Sequence, residues 1–367
     1  MQLVKTQRDT LLRPLQIVSG IVERRHTLPI LANILIRKSG QDVSFLSTDI
    51  EVQITTHAKV GTGGDVAATT VAARKLLDIL RALPDDEVSL SLSNKRMTVQ
   101  SGKSRFNLQT LGAEEFPIVA QAEYYNATVT LPQKTLKHLF NMVHFSMAQQ
   151  DIRYYLNGLL LVVEGKNVIA VATDGHRLAF CQVATEETFP KHEVIIPRKT
   201  ILELQRLLED SDEPVQLDIA NNQVKLTFAD IELISKLVEG KFPDYTRVVP
   251  RGYKNSFTIG REQLLRALQR TAIMTSDKFK GVRCVLSPGS MKISSTNADQ
   301  EEAVEEIEID YGGDSVDIGF NVSYLLDVLN NLKTDSITLS LGDANSSALI
   351  TIPDNADFKY VVMPMRI

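Results

Sequence analysis

The sequence predicts an α+β fold in which one domain of about 124 residues is repeated three times, each copy laying helices on one face of antiparallel sheet. Three observations carry that prediction: landmarks that recur at one spacing, a hydrophobic period that switches in the same order inside each copy, and an ordinary globular composition. The 367 residues are 43% hydrophobic and 23% charged, which excludes disordered, collagen-like and membrane-spanning classes and leaves room for two or three domains.

The landmarks fix the repeat. Ser47-Thr48-Asp49, Ala172-Thr173-Asp174 and Ser295-Thr296-Asn297 each close an alternating run, with 125 residues between the first two threonines and 123 between the second and third. Arg74-Lys75-Leu76-Leu77-Asp78-Ile79-Leu80 is echoed at Arg198 to Leu204 and at Ser323 to Leu329, with 125 residues from Leu77 to Leu202 and 124 from Leu202 to Leu326. Phe116-Pro117 and Phe242-Pro243 are 126 apart. Solenoid repeats are far shorter, so the repeated object is a whole domain. The expected domains are 1–125, 126–253 and 254–367.

Within each copy, apolar residues first fall at helical spacing: Leu11, Leu15, Val18 and Val22; Leu136, Phe140 and Val143; Leu264 or Leu265, Leu268 and Ala272. A helix is therefore expected to open each copy. Alternating strands follow, then a second helix over Leu76, Leu77, Leu80 and Leu83, over Ile201, Leu204 and Leu208, and over Leu325, Val328 and Leu332. A period-two hairpin comes next, through Val88, Leu90 and Leu92 to the Asn94-Lys95 turn, through Val215, Leu217 and Ile219 to Asn221-Asn222, and through Ile337, Leu339 and Leu341 to Gly342-Asp343. Two helices against roughly eight strands per copy makes the class α+β.

The net charge of −5 argues at first sight against a nucleic-acid binder. Its distribution argues the other way. The six expected helices with their flanks total +13 and the remainder −18, concentrated in Asp85-Asp86-Glu87, Glu209 to Glu213 and Asp299 to Asp310. Arg266 and Arg270, Lys134 and Lys137, and Arg74 and Arg81 each share a helix face. A solvated basic face explains any one helix. Five helices of six with the same bias point to one polyanion seen by all, contacted through phosphates without base reading, since no zinc finger, helix-turn-helix or basic zipper is present.

Catalytic patterns are weak. Asp174-Gly175-His176-Arg177 pairs a carboxylate with an imidazole, but no nucleophile or metal partner is placed beside them, and the repeat-mates Asp49 and Asn297 point to a shared turn-stabilising role. Gly61-Thr62-Gly63-Gly64 lacks a following helix and reads as a hairpin loop. No metal or cofactor is expected: the six histidines show no ligand spacing, and Cys181 and Cys284 stand 103 residues apart, as buried free thiols of a reducing compartment would. The N-terminal MQLVKTQRDT lacks a signal-peptide core, and no apolar run approaches the ~20 residues of a membrane helix. A cytoplasmic protein, without membrane partners, is expected.

Two segments look like binding surfaces. Gln149 to Tyr155 combines amides, an arginine and paired tyrosines where the chain leaves a basic helix, residues suited to phosphate contact and base stacking or to a core tyrosine pair. Tyr360 to Ile367 is an apolar end whose Met363-Pro364-Met365 lies beyond a strand stop at Pro364.

Thr27 to Leu31, Arg153 to Gly158, Ala172 to Leu178, Lys236 to Val238 with Lys241 to Tyr245, Phe320 to Tyr324 and Tyr360 to Arg366 together carry a resemblance. The whole chain closely resembles the β subunit of bacterial DNA polymerase III, the sliding-clamp family. The resemblance implies a head-to-tail homodimer whose six clamp-fold domains close a ring around double-stranded DNA, with helices inside and sheets outside. It acts without catalysis, tethering the replicative polymerase for processive synthesis and associating with the nucleoid. By resemblance, Arg25, Arg74, Gln150, Tyr154 and Tyr155 contact DNA. A groove for short hydrophobic peptide motifs of polymerase subunits, the clamp loader and repair enzymes would comprise Leu156, Thr173, Gly175, His176, Arg177, Leu178, Pro243, Arg247, Val248, Asn321, Tyr324, Val361, Met363, Pro364, Met365 and Arg366. Asn345 stands at its edge where the family often has a small apolar residue. The dimer contact would set Lys103, Arg105, Phe106 and Leu108 against Ile273 and Met274, with the two basic residues meeting acids of the Glu301 to Glu306 block. The competing expectations are a non-encircling, sequence-independent DNA-binding hub and a hydrolase using Asp174 and His176.

Overall fold

A computed structural model describes residues 1–23, 28–84, 86–276 and 278–367. The fold is α+β and every strand pairing is antiparallel. Its helices are α1 (Arg8–Val18), α2 (Ala73–Ala82), α3 (Gln133–Asn141), α4 (Arg198–Leu207), the single turn α5 (Tyr245–Val248), α6 (Arg261–Ala272) and α7 (Val322–Asn331). Each copy runs strand, helix, four strands, helix, three strands; in the middle copy the four strands fuse into two long ones, Gly158–Thr173 and Arg177–Pro197.

The helix expected to open each copy is preceded by a short strand: Gln2–Gln7, Ala127–Pro132 and Asn255–Gly260. Each pairs with the strand after that copy's second helix, Glu87–Ser93, Pro214–Ile219 and Ser336–Leu341 respectively. Six residues are too few for a period to stand out, and the partner lies some 80 residues away, so local pattern misses them.

The same pairing starts the helices. The first N–H of α1, α3 and α6 donates to the carbonyls of Asp86, Glu213 and Asp335, at 2.9 Å in each case. Arg198 N–H of α4 donates to Asn157 O (3.0 Å) and Val322 N–H of α7 to Lys280 O (2.8 Å). Backbone carbonyls thus do the work usually given to Ser, Thr or Asp side chains at a helix start. Only α5 and α7 carry a side-chain cap among the described helices whose ends are characterised, from Asp244 and Asn321. The acidic residues Asp86 and Glu87 and the block Glu209 to Glu213 therefore sit where the chain meets helix N-termini, a favourable sign for the helix dipole.

The chain forms two compact units, residues 1–136 with 203–237, and residues 137–202 with 238–367. The first holds a twelve-stranded sheet, in which Val52–Lys59 pairs with Ile231–Lys236 and so joins strands from the first and middle copies. The second holds a six-stranded sheet, joined in the same way through Arg177–Pro197 and Asn355–Val362, and a separate four-stranded sheet. Helix faces bury Leu11, Leu15 and Val18, Leu76 and Leu80, Leu264 and Leu268, and Leu325 and Val328, as the spacing predicts. The Gly61 to Gly64 segment is a loop, but not of a hairpin. Its flanking strands, Val52–Lys59 and Val66–Ala72, are separated in the sheet by Asp42–Thr48 and Asn33–Ser39. Among the described residues no helix is long and apolar enough to cross a membrane.

Candidate functional site

The site grows from one turn. Strand Gly158–Thr173 ends in a turn that leads directly into Arg177–Pro197. The Thr173 hydroxyl donates to Arg177 O (2.6 Å) and accepts from Gly175 N–H (3.1 Å), while Asp174 Oδ1 accepts from His176 N–H (2.9 Å) and Arg177 N–H (3.1 Å). Asp49 and Asn297 accept backbone N–H groups in the corresponding turns. Asp174 is thus consumed by turn architecture, as its repeat-mates suggested, and is not poised as a general base.

Gly175 has φ +90°, and a Cβ there would stand 2.8 Å from a guanidinium nitrogen of Arg153. Arg153 is gripped by Asp151 (Nε 3.0 Å, Nη2 2.8 Å) and also donates to Asp174 O (3.1 Å). That bidentate hydrogen bond holds the Asp151 carboxyl at about 2.

The final strand completes the site. Leu178 pairs with Val361, Arg177 with Val362, and Met363 N–H donates to His176 O (2.9 Å). Between turn, strand and the Pro243 to Val248 segment lies a largely apolar cavity of about 340 Å³. Ten predicted residues line it together: Leu156, Thr173, Gly175, His176, Arg177, Leu178, Pro243, Val248, Val361 and Met363. Its floor is continuous with a core of Leu160, Val162, Val171, Phe180, Ile195 and Phe242. Val248 and Met363 are exposed at 44% and 50%, apolar surface a partner could cover.

Arg177 anchors the wall. Its side chain is 10% exposed, bonds Asp174 (3.2 Å) and Asp327 (2.5 Å), and stacks its guanidinium 4.5 Å from the Tyr324 ring centroid. Burial alone would lower its pKa, but Tyr360, Asp327 and Asp174 together raise it, so the group stays charged. Tyr324 also stacks on His176, with centroids 6.4 Å apart and planes at 18°. Tyr324 therefore supports the wall from behind without lining the cavity.

The other predicted groove residues fall outside the lining. Asn321 caps α7 through Ser323 N–H, exposed Arg247 pairs with Asp244 (3.0 Å), and Pro364, Met365 and Arg366 continue beyond Met363, where Met365 N–H donates to Gly319 O (2.8 Å). Asn345 sits in an exposed turn organised by Asp343, and its neighbour Ser347 lines the cavity instead. The lining residues missed from sequence are Arg153, Tyr155 and Ser347. Tyr155, expected on DNA, is half-buried against the groove core, whereas Tyr154 is 58% exposed.

Of the expected DNA contacts, Arg25 lies outside the described residues. Gln150 is exposed with φ +55°, and Arg74, Lys75 and Arg81 are exposed without an acidic partner among the described residues. The basic count needs correction on α6, where Arg266 pairs with Glu262 (2.8 Å) and Arg270 binds Glu305 through two bonds (2.7 and 2.8 Å). Arg206 is likewise engaged within the chain, binding Glu203 and donating to Ile17 O (2.7 Å) at the end of α1.

Two strand edges lie at the expected dimer contact. Strand Ser104–Leu111 pairs fully with Arg96–Ser101, but with Val66–Ala72 only at Thr70 and Val71. Its Lys103 to Gln109 stretch therefore shows a free edge carrying Phe106, 37% exposed. Glu302–Glu308 ends the four-stranded sheet, and nearby Ile273 is 73% exposed while Met274 is half-buried. In the acid block Glu301, Glu305 and Glu306 are held by Asn297, Arg270 and Ser290 within the chain. Both cysteines are buried and unpaired, and burial pushes their thiols up to about 12, so neither is a nucleophile.

Family models of the DNA polymerase III beta subunit match the chain in succession: the N-terminal domain at residues 1–120, the central domain at 130–244 and the C-terminal domain at 246–366. The beta sliding clamp of Pseudomonas putida is 46% identical over 98% of this chain and 99% of its own length, and that of Escherichia coli is 43% identical over the same shares. A crystal structure of the DNA polymerase sliding clamp from Pseudomonas aeruginosa superposes with a TM-score of 0.96 at 44% identity, covering all of both chains.

Proposed function

The chain belongs to the DNA polymerase III beta-subunit family, and from that premise we propose how it works. It is a DNA sliding clamp of the replicative polymerase and does no chemistry of its own. Two copies close head to tail, so that their three-domain chains, divided as 1–125, 126–253 and 254–367, make a six-domain ring around duplex DNA. The Lys103 to Leu108 edge of one copy meets the Ile273 and Met274 region of the other. Pairing there would bury open strand edges that otherwise invite aggregation.

The observation that carries the reading is the segregation of charge. Exposed Arg74, Lys75 and Arg81 on α2 offer phosphates a basic face, while on α3 Lys137 is half-buried and Lys134 is paired with Asp212 (2.6 Å), and the rest of the chain is acidic. Arg25, Gln150 and Tyr154 add further contacts to DNA. Hydrophobic peptide motifs of the polymerase, clamp loader and repair enzymes dock in the cavity beside His176, where a flexible methionine rim suits several partners competing for one place.

Encirclement is tested by retention. Clamp loaded on closed circular DNA should stay through gel filtration at high salt and be released once the circle is cut. Equal retention on circle and linear DNA would overturn the ring.

A further inference from the structure

A second cavity, of about 560 Å³, adjoins the docking groove and shares the His176 and Arg177 wall with it. Its chemistry is different: polar groups dominate, contributed by the turn, by the Gln149 to Asp151 segment and by the first turn of α4. Its carboxylates are already satisfied. Asp174 serves the turn and Arg177, Asp327 serves Arg177, and Asp151 is gripped by Arg153.

One cation is left over. Arg198 is half-buried and lines the cavity, and among the described residues its side chain makes a single long bond, Nη1 to Met147 O at 3.4 Å, with no carboxylate in ion-pair range. Burial and the neighbouring Arg177 both disfavour its charge. His144, on the same lining, is held toward its neutral form by burial and cannot serve as the counter-charge of an anion in Arg198's place. An unpaired guanidinium in a recessed polar cavity is a costly arrangement for a fold to keep unless an anion visits it.

We propose that this cavity is an accessory subsite of the docking groove, in which Arg198 receives a side-chain carboxylate flanking the apolar residues of a bound partner peptide. The inference rests on the groove reading above. A peptide side chain can reach around the His176 wall into a recess, whereas a phosphate on a rigid duplex meets convex surface; the shared wall therefore favours the peptide over DNA as the source of the anion.

The test uses the full-length clamp and fluorescent peptides bearing two adjacent large apolar residues, with Glu on one flank or the other, and their Gln counterparts. With wild type, one Glu peptide should bind about fivefold more tightly than its Gln partner, and the preference should weaken with added salt. Arg198→Gln should erase the preference while leaving Gln-peptide affinity unchanged, and Arg198→Lys should restore part of it. A preference that persists in Arg198→Gln overturns the proposal, as does the absence of any preference in wild type. So does an Arg198→Gln variant that binds all peptides normally but is lost from circular DNA, since its anion is then a phosphate. Failure of the groove reading looks different: no peptide would bind wild type at all, or His176→Ala would bind every peptide as wild type does.

Discussion

Phe106→Ala should convert the dimer into monomers at working concentrations, and the size of the effect follows from what the ring still exposes. A phenylalanine side chain offers about 200 Å², and Phe106 retains 37% of its exposure in the single chain. Roughly 75 Å² is thus left for a partner to cover, which at about 25 cal/mol per Å² is close to 2 kcal/mol per interface. A head-to-tail ring contains that interface twice, so the dimer loses about 4 kcal/mol, near a thousandfold in dissociation constant. Sedimentation velocity across a dilution series measures this directly, and retention on circular DNA should fall in parallel. Tyr124→Ala, at an exposed aromatic remote from the free edge in sequence, serves as the control and should leave the dimer intact. A dissociation constant that moves less than threefold in Phe106→Ala would refute both the edge assignment and the area reasoning behind it.

Three further outcomes are expected. His176→Ala removes the ring stacked on Tyr324 and opens the shared wall, so partner-peptide affinity measured by anisotropy should fall about tenfold while loaded clamps stay on circular DNA; unaltered peptide affinity would count against the groove. Replacing Arg74, Lys75 and Arg81 by Gln should reduce the slope of log K against log salt by about two to three for DNA association, and an unchanged slope would show that α2 faces away from the phosphates. For pH, burial is the main cause holding His144 below its usual 6.5, so the unfolded chain gains a proton that the folded one resists as pH drops. Stability should accordingly be level above that value and decline as pH falls from 6.5 toward the folded pKa; a melting temperature whose decline between pH 7 and 5.5 is no shallower in His144→Gln would contradict it.

Architecture was legible in the sequence wherever the signal was periodic or repeated. The six main helices lie on the apolar stripes that predict them, and the Asn94-Lys95 turn has the positive φ angles, 48° and 60°, that its hairpin type requires. What escaped was pairing across distance. Each copy's first strand is stabilised by a partner at the copy's far end, and the Gly61 loop joins strands that are not neighbours. Charge was legible as a total but not as pairs: α6 looked the most basic helix with its flanks, yet Arg266 and Arg270 are engaged by Glu262 and Glu305. In the groove, the residues near Thr173 and Val361 follow from the motif, while Arg153 belongs to a segment whose sequence points to phosphate and base contact, and Ser347 reaches the cavity from a segment whose own sequence carries no sign of it.

The repeat also explains why the groove stands where it does. The first and middle copies share the Thr-Asp turn, and both put the next residue but one after the threonine in the left-handed region, Ile50 at φ 80° and Gly175 at φ 90°. In the first copy that residue has a side chain, and it packs on a cluster of Ile30, Leu31, Leu35, Leu46 and Phe116, accepting backbone strain in exchange for filling the surface. In the middle copy glycine removes the strain and the side chain together, and the Arg153 guanidinium occupies the space a Cβ would need. One position thus separates a closed apolar patch from a charged rim over an open one. Ile50→Gly should leave the first copy's turn intact, since Thr48 and Asp49 still hold it, while Gly175→Ile must both strain the turn and expel Arg153. The asymmetry follows from packing alone: in the copy whose turn carries glycine instead of isoleucine, the absence of a side chain lets a second segment of the chain form the wall of the proposed groove.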